Sequence, residues 1–155
     1  MKKIKRRDFM KSIGVSLVGG SILTSNAASS DVKTQFKWKM VTSWPKNFPG
    51  LGVGAENLAK IINQLSNNRI KVKVFGANEL VPPLEVFDYV AVGGAELGHS
   101  GAYYWKGKSQ ACQFFSSVPF GMNAQEMNAW LYYGGGLKLW EKLYKKFNLI
   151  PRPAG

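Results

Sequence analysis

The fold of this chain is constrained most strongly by two short segments in which apolar and basic residues alternate. They are "FKWKMV" (residues 36–41) and "RIKVKVF" (69–75). Alternation with a period of two is typical of a β-strand that buries one face. A predicted helix separates them, with one apolar stripe formed by Val53, Leu58, Ile61, Ile62 and Leu65. This order of strand, helix and strand favours two parallel strands joined by a crossover helix.

The segments that follow continue the alternation of helices and strands. "LEVFDYVAV" (84–92) predicts a second helix, with Pro83 in its first turn and glycines after its end. "AELGHSG" (95–101) predicts a short buried strand. Asn123 and Glu126 have the spacing of a capping box, which predicts the start of a third helix.

The last third of the chain predicts two helices and the start of another strand. Three glycines at 134–136 interrupt the helical pattern, and "LKLWEKLYKKF" (137–147) predicts a fourth helix with one apolar side. "NLIPRPAG" (148–155) predicts a strand, and because the sequence stops there we expect an N-terminal fragment of a longer protein. The expected fold class is α/β, with a mostly parallel sheet flanked by helices.

The first 27 residues have the pattern of an export signal. "RRDFMK" (6–11) carries the paired arginines of a twin-arginine signal, and a short, weakly apolar run (12–24) follows it. Ser25 and Ala27 are the small residues that a cleavage site requires. We therefore expect a signal peptide at 1–27 and a periplasmic protein. A general secretory signal with incidental arginines is the alternative.

Charge and cysteine content narrow the class of protein. The formal net charge is +12, but six lysines and arginines against one aspartate lie within the first eleven residues. The later lysines alternate with core residues or share one helix face, so we expect no nucleic-acid partner.

Cys112 is the single cysteine of the sequence, which excludes an internal disulfide. Its apolar neighbours predict a buried, unreactive thiol.

An enzymatic role has one weak signal in the sequence. Gly50, Gly52 and Ala55 match the spacing of a dinucleotide cradle, so the alternative function is an exported α/β enzyme that binds a nucleotide cofactor through Gly50–Ala55. About eight residues with two prolines separate these glycines from the strand, which is too long and stiff for the tight turn that a cradle needs. His99, the only histidine, is predicted to be half-buried and hydrogen-bonded, and no catalytic motif surrounds it.

Two loops after predicted strands have an unusual composition. "TSWPKNFPG" (42–50) follows the first strand and "HSGAYYWKGK" (99–108) follows the third. Ligands of open parallel sheets lie outside the carboxyl ends of the strands, where these loops meet. Hydroxyl groups on rigid aromatic rings suit a small polar ligand, so the pattern favours a binding site there.

These loops carry a family resemblance. "MVTSWPKNFPGLGVGAENLAKII", "VFGANELVPPLEVFDYVAVGGAELGHSGAYYWKGK" and "VPFGMNAQEMNAWLYYGGGLKLWEKLY" resemble the periplasmic solute-binding proteins of TRAP (tripartite ATP-independent periplasmic) transporters. The resemblance is to the DctP-type branch that binds 2-oxo acids and related monocarboxylates such as pyruvate and lactate. It implies a two-lobed α/β clamshell, with residues 28–155 as the N-terminal lobe, ending near the first crossover to the second lobe. It also implies binding without catalysis, delivery to TRAP membrane permease subunits, and possible assembly as a homodimer.

The resemblance also assigns site residues and a metal. Tyr103, Tyr104 and Trp105 match an aromatic loop that contacts the ligand in this family. Along the same edge of the sheet it places three further residues, Ser43, Trp44 and Lys46. It implies a bound sodium or calcium ion and an arginine that binds the ligand carboxylate. The metal ligands and this arginine would lie beyond Gly155, so no metal ligand is expected in this fragment.

Overall fold

The computed structural model describes residues 34–154, so the predicted signal peptide (1–27) lies outside the described residues. Within this range the strands are β1 (Phe36–Thr42), β2 (Ile70–Phe75) and β3 (Leu97–His99). The α-helices of the same range are α1 (Leu51–Leu65), α2 (Val86–Ala91), α3 (Ala124–Tyr132) and α4 (Gly136–Tyr144). Short 3₁₀ helices lie at Pro83–Glu85, Ala102–Gly107, Gln110–Phe115 and Lys145–Phe147.

The strands form a parallel sheet in the order β2–β1–β3. Met40 of β1 pairs with Val74 on one side and Leu97 on the other, so β1 is the central strand. Met40 is buried beneath α1, whereas its neighbour Val41 packs on the opposite face with Phe87 of α2. Both faces of the sheet are therefore covered, as expected for parallel strands, and the predicted α/β class is confirmed.

Helix α1 packs through small residues, contrary to the predicted apolar stripe. Its buried face consists of Gly52, Ala55 and Ala59. Of the predicted stripe, Leu58 and Ile62 pack partly against the sheet, but Val53, Ile61 and Leu65 are exposed. Small side chains let the helix approach the sheet closely, which moves the larger apolar residues to its flanks.

Helices α3 and α4 begin as the sequence predicts. The Asn123 side chain accepts a hydrogen bond from the Glu126 amide at 3.0 Å, and the Glu126 carboxylate accepts one from the Asn123 amide at 2.9 Å. This is a complete capping box. Gly135, with φ of 84°, takes a left-handed conformation that favours glycine and precedes α4. Leu131 of α3 joins Ala102 and Phe115 in a third apolar cluster.

Two further parts of the described chain differ from expectation. Ala102–Gly107, which lies in the loop predicted at 99–108, forms a 3₁₀ helix, and a second one follows at Gln110–Phe115. The predicted last strand is wrong as far as residue 154, because the backbone after Phe147 forms no strand. Pro151 and Pro153 have no amide hydrogen to donate, which disfavours pairing within a sheet. Cys112, as predicted, is fully buried.

None of the helices in residues 34–154 has the length and apolarity that crossing a membrane requires.

Candidate functional site

The carboxyl ends of β1 and β3 are joined by hydrogen bonds through Ser43. Its amide donates to the carbonyl of His99 at 3.2 Å. Its hydroxyl donates to the carbonyl of Pro83 at 2.8 Å and lies 2.6 Å from the hydroxyl of Ser100. Because the Ser43 proton is used on Pro83, the Ser100 hydroxyl must be the donor of the second bond. Ser43 therefore links the end of β1 to the end of β3 and to the segment at Pro83.

Trp44 lies inside this edge of the sheet rather than on its surface. Its side chain is only 6% exposed, and its indole Nε1 donates to Nδ1 of His99 at 3.0 Å. The Trp44 carbonyl accepts from the Thr42 hydroxyl at 2.6 Å and from the Ala77 amide at 2.9 Å. Both the backbone and the ring of Trp44 are thus fixed.

His99 is half-buried and hydrogen-bonded, which confirms the sequence prediction for this residue. Burial lowers the pKa of its imidazole, and a hydrogen bond with the backbone of Ala154 offsets part of that effect. A neutral imidazole is also what the contact with Trp44 requires, since an indole nitrogen can only donate.

Lys46 is already committed to an ion pair. Its ammonium lies 2.8 Å from the Glu79 carboxylate, and this hydrogen bond is the main reason why the pKa of Glu79 is lowered. Gly76 lets the two loops approach closely, because a Cβ there would meet the Lys46 amide nitrogen at 2.9 Å. Lys46 lies at the predicted edge and is paired there with Glu79 in a partly exposed ion pair.

The three aromatic residues of the Ala102–Gly107 helix have different environments. Tyr103 and Tyr104 are 38% and 40% exposed, whereas Trp105 is only 5% exposed. The Trp105 ring packs against Phe87, with centroids 5.3 Å apart, in the core below the sheet. The rings of Tyr103 and Tyr104 lie 4.4 Å apart, and Tyr104 also lies 6.5 Å from Trp44. The structure thus brings Trp44 and Tyr104 together and leaves the two tyrosines accessible.

Tyr103 is held in its neutral form. The hydrogen bond with Tyr104, and to a lesser extent burial, raise the pKa of its phenol. Because Tyr103 donates its proton to Tyr104 in this bond, the Tyr104 hydroxyl keeps its own proton and can donate it to an anionic oxygen.

An open concavity of about 420 Å³ lies beside Tyr103. Its wall is completed by residues that the sequence pattern did not indicate, namely Gln113, Phe114, Ser117, Val118 and Pro119. Ser43, Trp44 and Lys46 are not among the residues that line it. The available signal was the run "QFFSSVPFG" (113–121), which places several bulky apolar residues close together outside the regular strands and α-helices, where they cannot all be buried.

The start of α1 does not provide a phosphate cradle. The Leu51 amide donates to the Pro49 carbonyl, and the amides of Gly52 and Val53 donate to the Phe48 carbonyl, at 3.0 to 3.1 Å. A phosphate at a helix N-terminus needs these amides free. The alternative of a nucleotide-binding enzyme, which depended on Gly50–Ala55, is therefore not supported.

The acidic, histidine and cysteine side chains of the described chain are dispersed. Across residues 34–154, no group of three or more of them could hold a metal ion. We assign no metal ligand among the described residues.

Comparison with known proteins gives concordant matches. The family model described as "DctP: Bacterial extracellular solute-binding protein, family 7" matches residues 40–150. The chain is similar to a protein of Nostoc sp. described as a monocarboxylate 2-oxoacid-binding periplasmic protein, with 42% identity over 156 residues. That match covers 98% of this chain and 43% of the relative.

Two solved structures of TRAP periplasmic solute-binding proteins have the same fold over this region. The protein from Pseudoalteromonas atlantica, with bound sodium and pyruvate, has a TM-score of 0.76 and 39% identity. The protein from Colwellia psychrerythraea, with bound calcium and pyruvate, has a TM-score of 0.76 and 40% identity. Each match covers 78% of this chain and 37% of the solved chain. This chain thus spans less than half the length of the relatives it matches.

Proposed function

Because the chain belongs to the DctP family, family 7 of the bacterial extracellular solute-binding proteins, we propose that it contributes to a binding site for a small monocarboxylate. The ligand is a 2-oxo acid such as pyruvate or a 2-hydroxy acid such as lactate, which is delivered to a TRAP membrane permease. The described functions and bound ligands of the relatives support this choice. The family consists of solute-binding proteins, so the role is binding and not catalysis.

The observation that carries the proposal is the pair of adjacent, accessible tyrosines at the carboxyl edge of the sheet. Tyr103 and Tyr104 are in ring contact at 4.4 Å and are each partly exposed. Their phenols supply hydrogen-bonding groups on rigid apolar rings, which suits a ligand with a carboxylate and a carbonyl or hydroxyl group. The concavity beside Tyr103 offers space for such a ligand.

The other predicted site residues have supporting roles in this proposal. Ser43 and Trp44 hold the loop after β1 against β3, and Trp105 fixes the aromatic segment to the core through Phe87. Lys46 belongs to the rim of the cleft and is neutralised there by Glu79.

A ligand carboxylate needs a cationic partner, whereas Lys46 and Arg152 each have a carboxylate partner within the chain. Lys46 is paired with Glu79, and Arg152 is paired with Glu141. We therefore propose that residues 28–155 act as one lobe of a clamshell, and that the carboxylate and the metal ion are bound from the second lobe. An arginine there would match the bidentate geometry of a carboxylate.

Export through the twin-arginine pathway is part of the same proposal. The supporting feature is the sequence "RRDFMK" together with membership of an extracellular family. Replacement of Arg6 and Arg7 by lysine should leave the protein in the cytoplasm of a bacterial host, whereas unchanged export would favour a general secretory signal.

The ligand class can be tested in a hybrid protein, in which residues 28–155 replace their counterparts in the Nostoc relative. Pyruvate and lactate should raise the Tm of the hybrid, since a ligand at a hundred times its Kd adds about 2.7 kcal/mol to stability. A dicarboxylate such as succinate and the cofactor NADH should have no effect. A folded hybrid that responds to NADH alone would overturn the proposal.

Assembly as a homodimer stays a prediction from the resemblance. Sedimentation velocity of the hybrid would decide it, with a single monomeric species as the contradicting result.

A further inference from the structure

The ring of Trp44 has one polar partner among the described residues, and that partner is His99. The two rings meet edge to face, with centroids 5.5 Å apart and an interplanar angle of 79°. The indole nitrogen lies 3.0 Å from Nδ1 of the imidazole. Because Nδ1 accepts this bond, the neutral imidazole carries its proton on Nε2.

The backbone contacts of Trp44 do not determine how its ring is oriented. The bonds from Thr42 and Ala77 hold the Trp44 carbonyl, and rotation about the side-chain torsions would leave them intact. The ring is therefore oriented by packing and by the bond to His99. The Tyr104 ring is a further neighbour of the Trp44 ring, with centroids 6.5 Å apart.

Tyr104 lies among three aromatic neighbours. Tyr103 and Trp105 belong to the same 3₁₀ helix, whereas Trp44 reaches it from the loop after β1. Trp44 is thus the aromatic contact that couples Tyr104 to the strand edge. Loss of the His99 bond would leave packing alone to orient the Trp44 ring, which is one of the aromatic neighbours of Tyr104.

We propose that His99 is a positioning residue of the binding site, which orients Trp44 and through it Tyr104. The inference rests on the proposed function only in assigning the ligand contact to Tyr104. The His99 bond itself is a property of this chain and can be tested without a ligand.

The groups around His99 allow its protonation to be followed separately from that of other groups. Its neighbours Ser43, Ser100 and Trp44 carry no ionisable group in the relevant range, and the Ala154 contact is with the backbone. Lys46, in the same loop as Trp44, forms an ion pair with Glu79, in the loop after β2. Protonation of Nδ1 would remove the acceptor, so acid should break the contact with Trp44.

The first experiment follows the indole N–H signal of Trp44 in the ¹⁵N-labelled chain, assigned through Trp44→Phe. In the unmodified chain we expect slow exchange with water and a shift of the signal as acid protonates His99. In His99→Asn, Oδ1 takes the place of Nδ1 as an acceptor that does not titrate, so protection should persist without the shift. In His99→Leu, exchange should be faster by about tenfold or more at every pH.

Two results would overturn the hydrogen-bond assignment. One is equal protection of the Trp44 signal in His99→Leu and in the unmodified chain. The other is an acid shift that persists in His99→Asn. Should His99→Leu fail to fold, the comparison of the unmodified chain with His99→Asn still decides the question.

The second experiment measures pyruvate affinity in the hybrid protein. His99→Leu should weaken binding by about threefold to tenfold, the loss expected for one neutral hydrogen bond, while His99→Asn should bind nearly as the parent does. Equal affinity of His99→Leu and the parent would overturn the positioning role. If the folded parent hybrid binds no monocarboxylate, the proposed function fails instead, and the indole measurement still tests the contact.

Discussion

The indole of Trp44 donates a 3.0 Å hydrogen bond to Nδ1 of His99, which joins the loop after β1 to the end of β3. The bond requires a neutral imidazole, and burial lowers the pKa of His99 below its usual value of 6.5. The unfolded chain therefore binds a proton at a higher pH than the folded chain does. Stability should be fully present above about pH 6.5 and should decline as the pH falls towards the lowered pKa of the folded state.

Urea denaturation at a series of pH values between about 7.5 and 5 tests this dependence. The chain contains a single histidine, so the decline in this window should be specific to it. His99→Asn should remove most of the decline, because it keeps the acceptor but cannot titrate. An identical pH dependence in both proteins would contradict the assignment.

Replacement of Gly52 by alanine should destabilise the protein by about 1–3 kcal/mol, because neighbouring atoms already occupy the space that the added methyl group needs. A Cβ at this position would lie 2.5 Å from the Pro45 carbonyl oxygen and 3.0 Å from the Phe48 Cβ. Gly54 is the matched control in the same helix, since a Cβ added there would have no atom within 4 Å. Gly54→Ala should be stabilising by about 0.5–1 kcal/mol. Thermal unfolding measures both, and equal effects would refute the close contact at Gly52.

Asn123→Ala should lower the free energy of unfolding by about 1 kcal/mol, since it removes the N-cap of α3. The lost bond is the one that the Asn123 side chain accepts from the Glu126 amide. Asn128 lies exposed on the same helix and provides the control. Asn128→Ala should be neutral or slightly stabilising, because alanine has the higher helix propensity. Urea denaturation in which both variants lose the same stability would contradict a capping role.

Tyr103→Phe and Tyr104→Phe in the hybrid should each weaken pyruvate binding. A hydrogen bond to a charged acceptor contributes about 1.5–3 kcal/mol, and the larger loss should occur at the phenol that bonds the carboxylate. Tyr133, which is 92% exposed, is the matched control, and Tyr133→Phe should leave affinity unchanged. If neither Tyr103→Phe nor Tyr104→Phe alters the Kd, these rings serve only to cover the sheet edge.

Much of the fold could be predicted because local patterns carry it. The alternation in residues 69–75 predicted β2 with its buried valines, Val72 and Val74. A shift of one residue would bury the lysines and expose the valines, so the pattern determines which face is buried. The Asn123–Glu126 spacing predicted the start of α3 for a similarly local reason. The buried face of α1 was missed, because hydrophobicity alone does not show that small residues such as Ala55 and Ala59 face the sheet.

The neighbourhood of the candidate site residues could be predicted in part. Because both loops follow parallel strands, Trp44 and Tyr104 were expected at one edge of the sheet, and their rings are neighbours there. Sequence could not separate Trp105 from its two tyrosine neighbours, because only the 3₁₀ backbone directs the Trp105 ring towards Phe87 in the core. Nor could it show that Glu79 neutralises Lys46, a contact between residues 33 positions apart.

The proposed role of this chain as one lobe of a monocarboxylate-binding cleft is tested most directly by calorimetric titration with pyruvate. The folded hybrid protein should bind one pyruvate with micromolar or tighter affinity, whereas the chain of residues 28–155 alone should release no measurable heat. Micromolar binding by the chain alone would contradict the need for a second lobe. Absence of binding by a hybrid with a cooperative unfolding transition would contradict the proposed function itself.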